Sequence, residues 1–174
     1  MVKLIGEKSK VAILSYVTKA GNAEQREKGL LDAIARHPGV KIVAKEYCSS
    51  DKNLAAELTS QIIAAHPDVD GIVALNATLS VGAAEEIDRR GLAGTVRVVA
   101  IDSPPEVLSY IQEGVIQATI IQKPFSMGYL GVKYAVDTMK GVPVPDRVDT
   151  GTKVIDLENM FWSENQKLLF PFVK

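Results

Sequence analysis

The sequence has 174 residues, 47% of them hydrophobic and 24% charged, and a formal net charge of −1. That balance suits one globular domain with a sizeable core and excludes a disordered chain. It gives no general attraction to nucleic acid or to an anionic membrane, and no long Lys/Arg run supplies one locally.

Short apolar runs alternate with helical stretches along the chain. Met1-Val2-Lys3 opens a short mixed segment with no signal-peptide core. Lys10 to Tyr16 is the first strand. Asn22 is the expected N-cap of a helix to about Arg36, which His37-Pro38-Gly39 ends. Val40 to Tyr47 is the second strand. Asp51 caps a helix from about Lys52 to Ala65, and His66-Pro67-Asp68 stops it. Gly71 to Leu75 is the third strand and runs into Asn76. A helix follows from about Thr78 to Arg90. Val96 to Ile101 is the fourth strand and runs into Asp102. Ser103-Pro104-Pro105 opens a helix to about Glu113, with proline suited to a first turn. Ala118 to Ile121 is the fifth strand and runs into Gln122. Lys123-Pro124 is a break, followed by a helix from about Phe125 to Lys140. Gly141 to Asp146 reads as a linker, and Thr152 to Leu157 as a last short strand. The sum is an α/β fold: a flavodoxin-like, doubly wound parallel sheet of about five strands with helices on both faces, plus a C-terminal strand and an aromatic tail.

The helix from Phe125 is apolar nearly all round, and Met160, Phe161, Trp162, Leu168, Leu169, Phe170 and Phe172 follow it. A helix of that kind wants burial on more than one side. Two readings stand equal. Residues 125–140 and 160–172 form a contact surface for a missing lobe or a second copy, or the tail folds back over the helix.

In an open α/β sheet, ligands sit beyond the carboxyl ends of the strands. Asn76, Asp102 and Gln122 therefore share one edge. A carboxylate that accepts and two carboxamides that donate and accept match the adjacent hydroxyls of a sugar or polyol. The bland reading of Asn76 and Asp102 is that each only caps the helix that follows. Arg26, early in its helix, could reach the same edge, and as a plain surface residue it would be equally unremarkable.

Other chemistry finds little support. A receiver domain needs an acceptor Asp where Asn76 stands. A phosphate cradle is weakly matched by Val17 to Asn22, with one glycine and neither GxGxxG nor a P-loop. His37 and His66 sit in helix-ending turns, so no metal site is expected. The single cysteine, Cys48, near the end of a strand, reads as a buried thiol. Ser80 and Ser103 lie near the edge without a visible base. No catalysis and no cofactor are expected.

Four segments carry a resemblance: NAEQREKGLLDAI (22–34), AAHPDVDGIVALN (64–76), VVAIDSPPEVLSYIQEG (98–114) and ATIIQKPFSMGYLGVKYA (118–135). Across Lys10 to Asn159 the chain resembles the C-terminal lobe of a ribose-type periplasmic sugar receptor, a solute-binding protein of ABC importers. The resemblance implies a two-lobed hinged clamp on a monosaccharide, of which this chain is about half, working outside the cytoplasm with importer membrane subunits. It implies sugar-hydroxyl contacts at Asn76, Asp102 and Gln122. Arg26, three residues before Gly29, matches the ligand-binding arginine. Ser50 stands at the position of a stacking aromatic, Ala77 replaces an acid, and Leu30 replaces an aromatic. These departures point away from ribose itself. Two alternatives share the architecture: the effector-binding domain of a lac-repressor type regulator, and an enzyme on a flavodoxin-like fold.

Overall fold

The computed structural model describes residues 1–17 and 20–170. Its first strand, β1 (Ser9–Ser15), is buried at every residue but Lys10. A strand covered on both faces is a continuous apolar run, and Val11-Ala12-Ile13-Leu14 is one. It lies between β2 (Val40–Tyr47) and β3 (Gly71–Ala74). Beyond β3 come β4 (Arg97–Ile101), β5 (Ile116–Ile121) and β6 (Lys153–Asp156), giving a six-stranded sheet in the order β2-β1-β3-β4-β5-β6. The first five strands are parallel, and β6 closes the far edge antiparallel to β5. The doubly wound sheet read from the sequence is the fold observed.

The chain steps from β1 outward to β2, then returns past β1 to β3 and continues in that direction. Strand–helix–strand crossovers are right-handed, so this reversal divides the helices between two faces. α2 (Gly21–Ile34) takes one face. α3 (Lys52–Ala65), α4 (Ala77–Arg89) and α5 (Pro105–Gln112) take the other, α4 packing against both its neighbours. The reversal leaves a crevice between the carboxyl ends of β1 and β3.

Several local expectations are corrected. α2 begins at Gly21 behind an extended Ala20, which offers no side-chain cap, so Asn22 sits inside the first turn. The mixed N-terminal segment contains a single helical turn, α1 (Val2–Ile5). Met1, Val2 and Ile5 pack it against the core. The tail forms a further helix, α7 (Ser163–Leu169), that brings Leu169 into the core together with Met160. Phe161 and Trp162 remain exposed, and Phe172 lies outside the described residues.

α6 (Pro124–Met139) has no buried residue. Phe125 is 83% exposed, Val132 69% and Met139 87%. The described part of the tail, through Phe170, therefore leaves this helix uncovered. Phe125 and Tyr129 stack on each other, with centroids 6.4 Å apart.

Two features fix α3 against α4. Gly82 lets the helices approach so closely that a Cβ there would lie 2.3 Å from the Lys52 carbonyl oxygen. Near the other end of α4, buried Glu86 accepts from Arg89 Nε and Nη2 at 2.7 Å and from Arg90 Nε at 2.6 Å. Arg90 Nη2 in turn donates to Ser60 of α3 at 2.5 Å. The Arg89 guanidinium, followed by Arg90 and Ser60, holds the Glu86 carboxyl down at about 2, against an opposing effect of burial.

A Gly82→Val variant is expected to lose ~1–3 kcal/mol of stability in urea denaturation, because the clash is with backbone and not with a movable side-chain tip. Glu86 titrates below its unfolded value, so its contribution is present above about 4.5 and disappears as pH falls toward about 2. Glu86→Gln is expected to cost ~1–2 kcal/mol at pH 7, discounted because Arg89 is largely exposed. The gap to the parent protein should narrow when both are measured at pH 3; an equal gap at both pH values contradicts the account.

Candidate ligand-binding site

The residues expected at the sheet's carboxyl edge meet there as one chain of contacts. Asn76 is the N-cap of α4, with Oδ1 accepting the Leu79 N–H at 2.9 Å. Its Nδ2 donates to Ser50 Oγ at 3.1 Å. Arg26 Nη1 donates to the carbonyl of Leu75, one residue before Asn76, at 2.8 Å. The same nitrogen stands 4.0 Å from Asp102 Oδ2. Asp102 Oδ1 accepts from Gln122 Nε2 at 3.1 Å. Ser50, Asn76, Arg26, Asp102 and Gln122 are thus linked across the ends of β2, β3, β4 and β5.

The bland reading holds for Asn76 and fails for Asp102. Asn76 does cap its helix. Asp102 does not, since the N-cap of α5 is Pro104. Asp102 instead adopts the left-handed region, at φ 71. Asp and Asn tolerate that region better than other side-chain-bearing residues. Its backbone is held from three sides: its N–H donates to the Ile120 carbonyl at 2.9 Å, its carbonyl accepts from Thr119 Oγ1 at 2.5 Å, and β4 fixes the residue before it. Ser49 and Ser50 are left-handed too, at φ 50 and φ 56, just before Asp51 caps α3 through the Leu54 N–H. Ser80, placed near the edge by the sequence, is fully buried, donating to the Asn76 carbonyl at 2.7 Å and accepting from the Ile101 N–H at 3.3 Å. It ties the ends of β3 and β4 together.

Spare hydrogen-bonding capacity faces outward from this network. Arg26 spends one of its five N–H donors on Leu75. Asn76 and Gln122 each keep a second amide N–H, Gln122 keeps its carbonyl oxygen, and Asp102 keeps unused lone pairs. The side chains of Arg26 and Asp102 are 22% and 34% exposed, accessible yet partly shielded from solvent. A cavity of about 650 Å³ adjoins the edge on the α2 side, lined by Arg26, Gln122, Asn22, Leu30, Ile101 and Ile120. Asn76, Asp102 and Ser50 do not line it.

Sequence reasoning missed Tyr16, whose ring lies under Arg26 with Cζ 5.8 Å from its centroid. Only its place directly after β1 could have signalled it. Burial, with smaller effects from Glu46 and Asp51, pushes the nearby Cys48 thiol up to about 11, so it is protonated and inert at neutral pH. Among the described residues no cluster of His, Cys, Asp or Glu is suited to a metal ion.

The family profile described as the periplasmic binding protein domain matches residues 1–142. The chain belongs to that family. It is 32% identical to the D-allose-binding periplasmic protein of Escherichia coli (strain K12), over 79% of this chain and 44% of that protein. It is 28% identical to the ribose import binding protein of Salmonella typhimurium, over 89% of this chain and 52% of the relative. This periplasmic binding protein chain therefore spans about half the length of the curated relatives it matches. A carbohydrate transporter solute binding protein from Agrobacterium radiobacter, in complex with D-arabinose, superposes with a TM-score of 0.90 at 30% identity, covering 97% of this chain and 58% of that one. An ABC transporter solute binding protein from Agrobacterium vitis with bound D-fucose gives 0.92 at 28% identity, covering 98% and 59%.

Asn76 serves the fold with its oxygen and leaves its nitrogen for other work. Asn76→Ala is expected to cost ~1 kcal/mol through the lost cap. Asn76→Asp keeps an acceptor for the Leu79 N–H and should hold stability within ~0.5 kcal/mol, while removing the amide donors. Urea titrations of both variants test this; equal losses in the two would contradict a capping role for the oxygen.

Proposed function

We propose that this chain is one lobe of a receptor that binds a sugar or related polyol and delivers it, chemically unchanged, to an ATP-driven importer outside the cytoplasm. The observation that carries the reading is the linked edge of Ser50, Asn76, Arg26, Asp102 and Gln122. It joins one carboxylate, one guanidinium, two carboxamides and a hydroxyl, each with unused bonding capacity. Adjacent hydroxyls both donate and accept, and they match such a mixed set better than a phosphate or a carboxylate does. The named relatives are binding proteins, which supports binding over catalysis.

The exposed α6 supports a second element of the reading: residues 125–174 contact another lobe or a partner chain. Without that cover, the isolated chain binds weakly, because one open face cannot desolvate the ligand as an enclosed cleft does.

Titration of ¹⁵N-labelled protein with D-ribose, D-allose, D-arabinose and D-fucose tests the site. Amide shifts concentrated at Ser50, Asn76, Asp102 and Gln122, saturating only in the millimolar range, are expected with at least one sugar. Arg26→Ala should reduce them. Sub-micromolar binding by the isolated chain, or shifts confined to other surfaces, would overturn the proposal. Light scattering tests the exposed helix. Apparent mass is expected to rise with concentration and to fall back on Val132→Lys, and a concentration-independent monomer would oppose this part of the reading.

A further inference from the structure

We infer that Tyr16 is a positioning residue for Arg26, presenting the guanidinium to whatever occupies the sheet's carboxyl edge. The inference rests on the reading of that edge as the ligand site. Arg26 must reach from α2 across to the ends of β3 and β4 on a long side chain. Holding such a side chain in one rotamer costs conformational entropy. Something has to offset that cost if the group is to be in place before a ligand arrives.

Three contacts restrain it. Leu75 takes one N–H at 2.8 Å, which fixes one corner of the fork. Asp102, at 4.0 Å, adds attraction without a close hydrogen bond. Neither sets the tilt of the guanidinium plane. Tyr16 does, because a cation within ~6 Å of an aromatic centroid is drawn to the negative face of the ring. The Cζ atom lies 5.8 Å from that centroid. The ring is itself a fixed platform: Tyr16 is 7% exposed, follows β1 directly, and belongs to the main core cluster.

The ring, and not the hydroxyl, does this. The Tyr16 hydroxyl is buried and has no hydrogen-bond partner among the described residues. Tyr16→Phe therefore keeps the platform and gives up no bond, whereas Tyr16→Leu keeps apolar bulk and loses the π-face.

The full chain, labelled with ¹⁵N-arginine, tests this by NMR, with Arg26→Lys assigning the Arg26 Nε–Hε signal. In the parent protein that proton should be shifted upfield by the ring and should show a rigid heteronuclear NOE. Tyr16→Phe should preserve both. Tyr16→Leu should move the signal to the position of a free arginine and lower the NOE, with thermal unfolding confirming that the variant is folded. If that variant does not fold, Tyr16→Met is read in the same way. An unchanged Arg26 signal in a folded Leu or Met variant, or its loss in Tyr16→Phe, would overturn the inference. D-allose, D-ribose, D-arabinose and D-fucose serve as binding probes, and the affinity of any that binds should fall roughly two- to five-fold in Tyr16→Leu and stay level in Tyr16→Phe. If none of these sugars binds the parent protein, the receptor reading fails while the Arg26 spectra still decide the role of Tyr16.

Discussion

Five parallel strands point the same way, and this one constraint organises the molecule. Parallel pairing forces every connection to return over a face of the sheet, so all the strands deliver their final residues to one edge. The reversal of winding at β1 then keeps helices from closing over the middle of that edge. Ser50, Asn76, Asp102 and Gln122, far apart in sequence, are brought together by direction alone. Arg26 joins them because the helix after β1 starts at the same edge.

What the strands deliver is already wired. The side chains bond to one another and to backbone carbonyls, so partly buried polar groups are satisfied without a ligand. The wiring restrains the groups and still leaves donors and acceptors open. The left-handed backbone at Ser49, Ser50 and Asp102 belongs to the same edge. Strained conformations persist where surrounding contacts over-determine them, and the bonds on either side of Asp102 do this.

Much of this was legible in the sequence. Apolar runs of four to eight residues, separated by helical periods, gave the parallel sheet, because a strand buried on both faces has no polar alternation to hide it. The shared edge of Asn76, Asp102 and Gln122 followed from the same direction rule. Other features depend on tertiary geometry that no short window carries. α2 starts at Gly21 behind an extended Ala20, against the capping preference of Asn22. The Arg26–Tyr16 contact joins two residues whose spacing is not a motif. The left-handed backbone of Asp102 leaves no compositional trace, since an aspartate after a strand serves equally well as a cap. The apolar character of α6 was plain, yet its lack of any buried residue was not, because periodicity shows that a helix wants cover and not where the cover comes from.

The backbone of Asp102 also limits how the protein can change. At φ 71, glycine, asparagine and aspartate are the residues that fit with little penalty. Of these, only aspartate brings a charged acceptor to the edge. Asn76 is confined in a similar way by the helix it caps. Ser50, exposed and bonded to Asn76 among the described residues, carries the same backbone restriction at φ 56. The ends of β2, β3 and β4 therefore admit few side chains for reasons of folding alone.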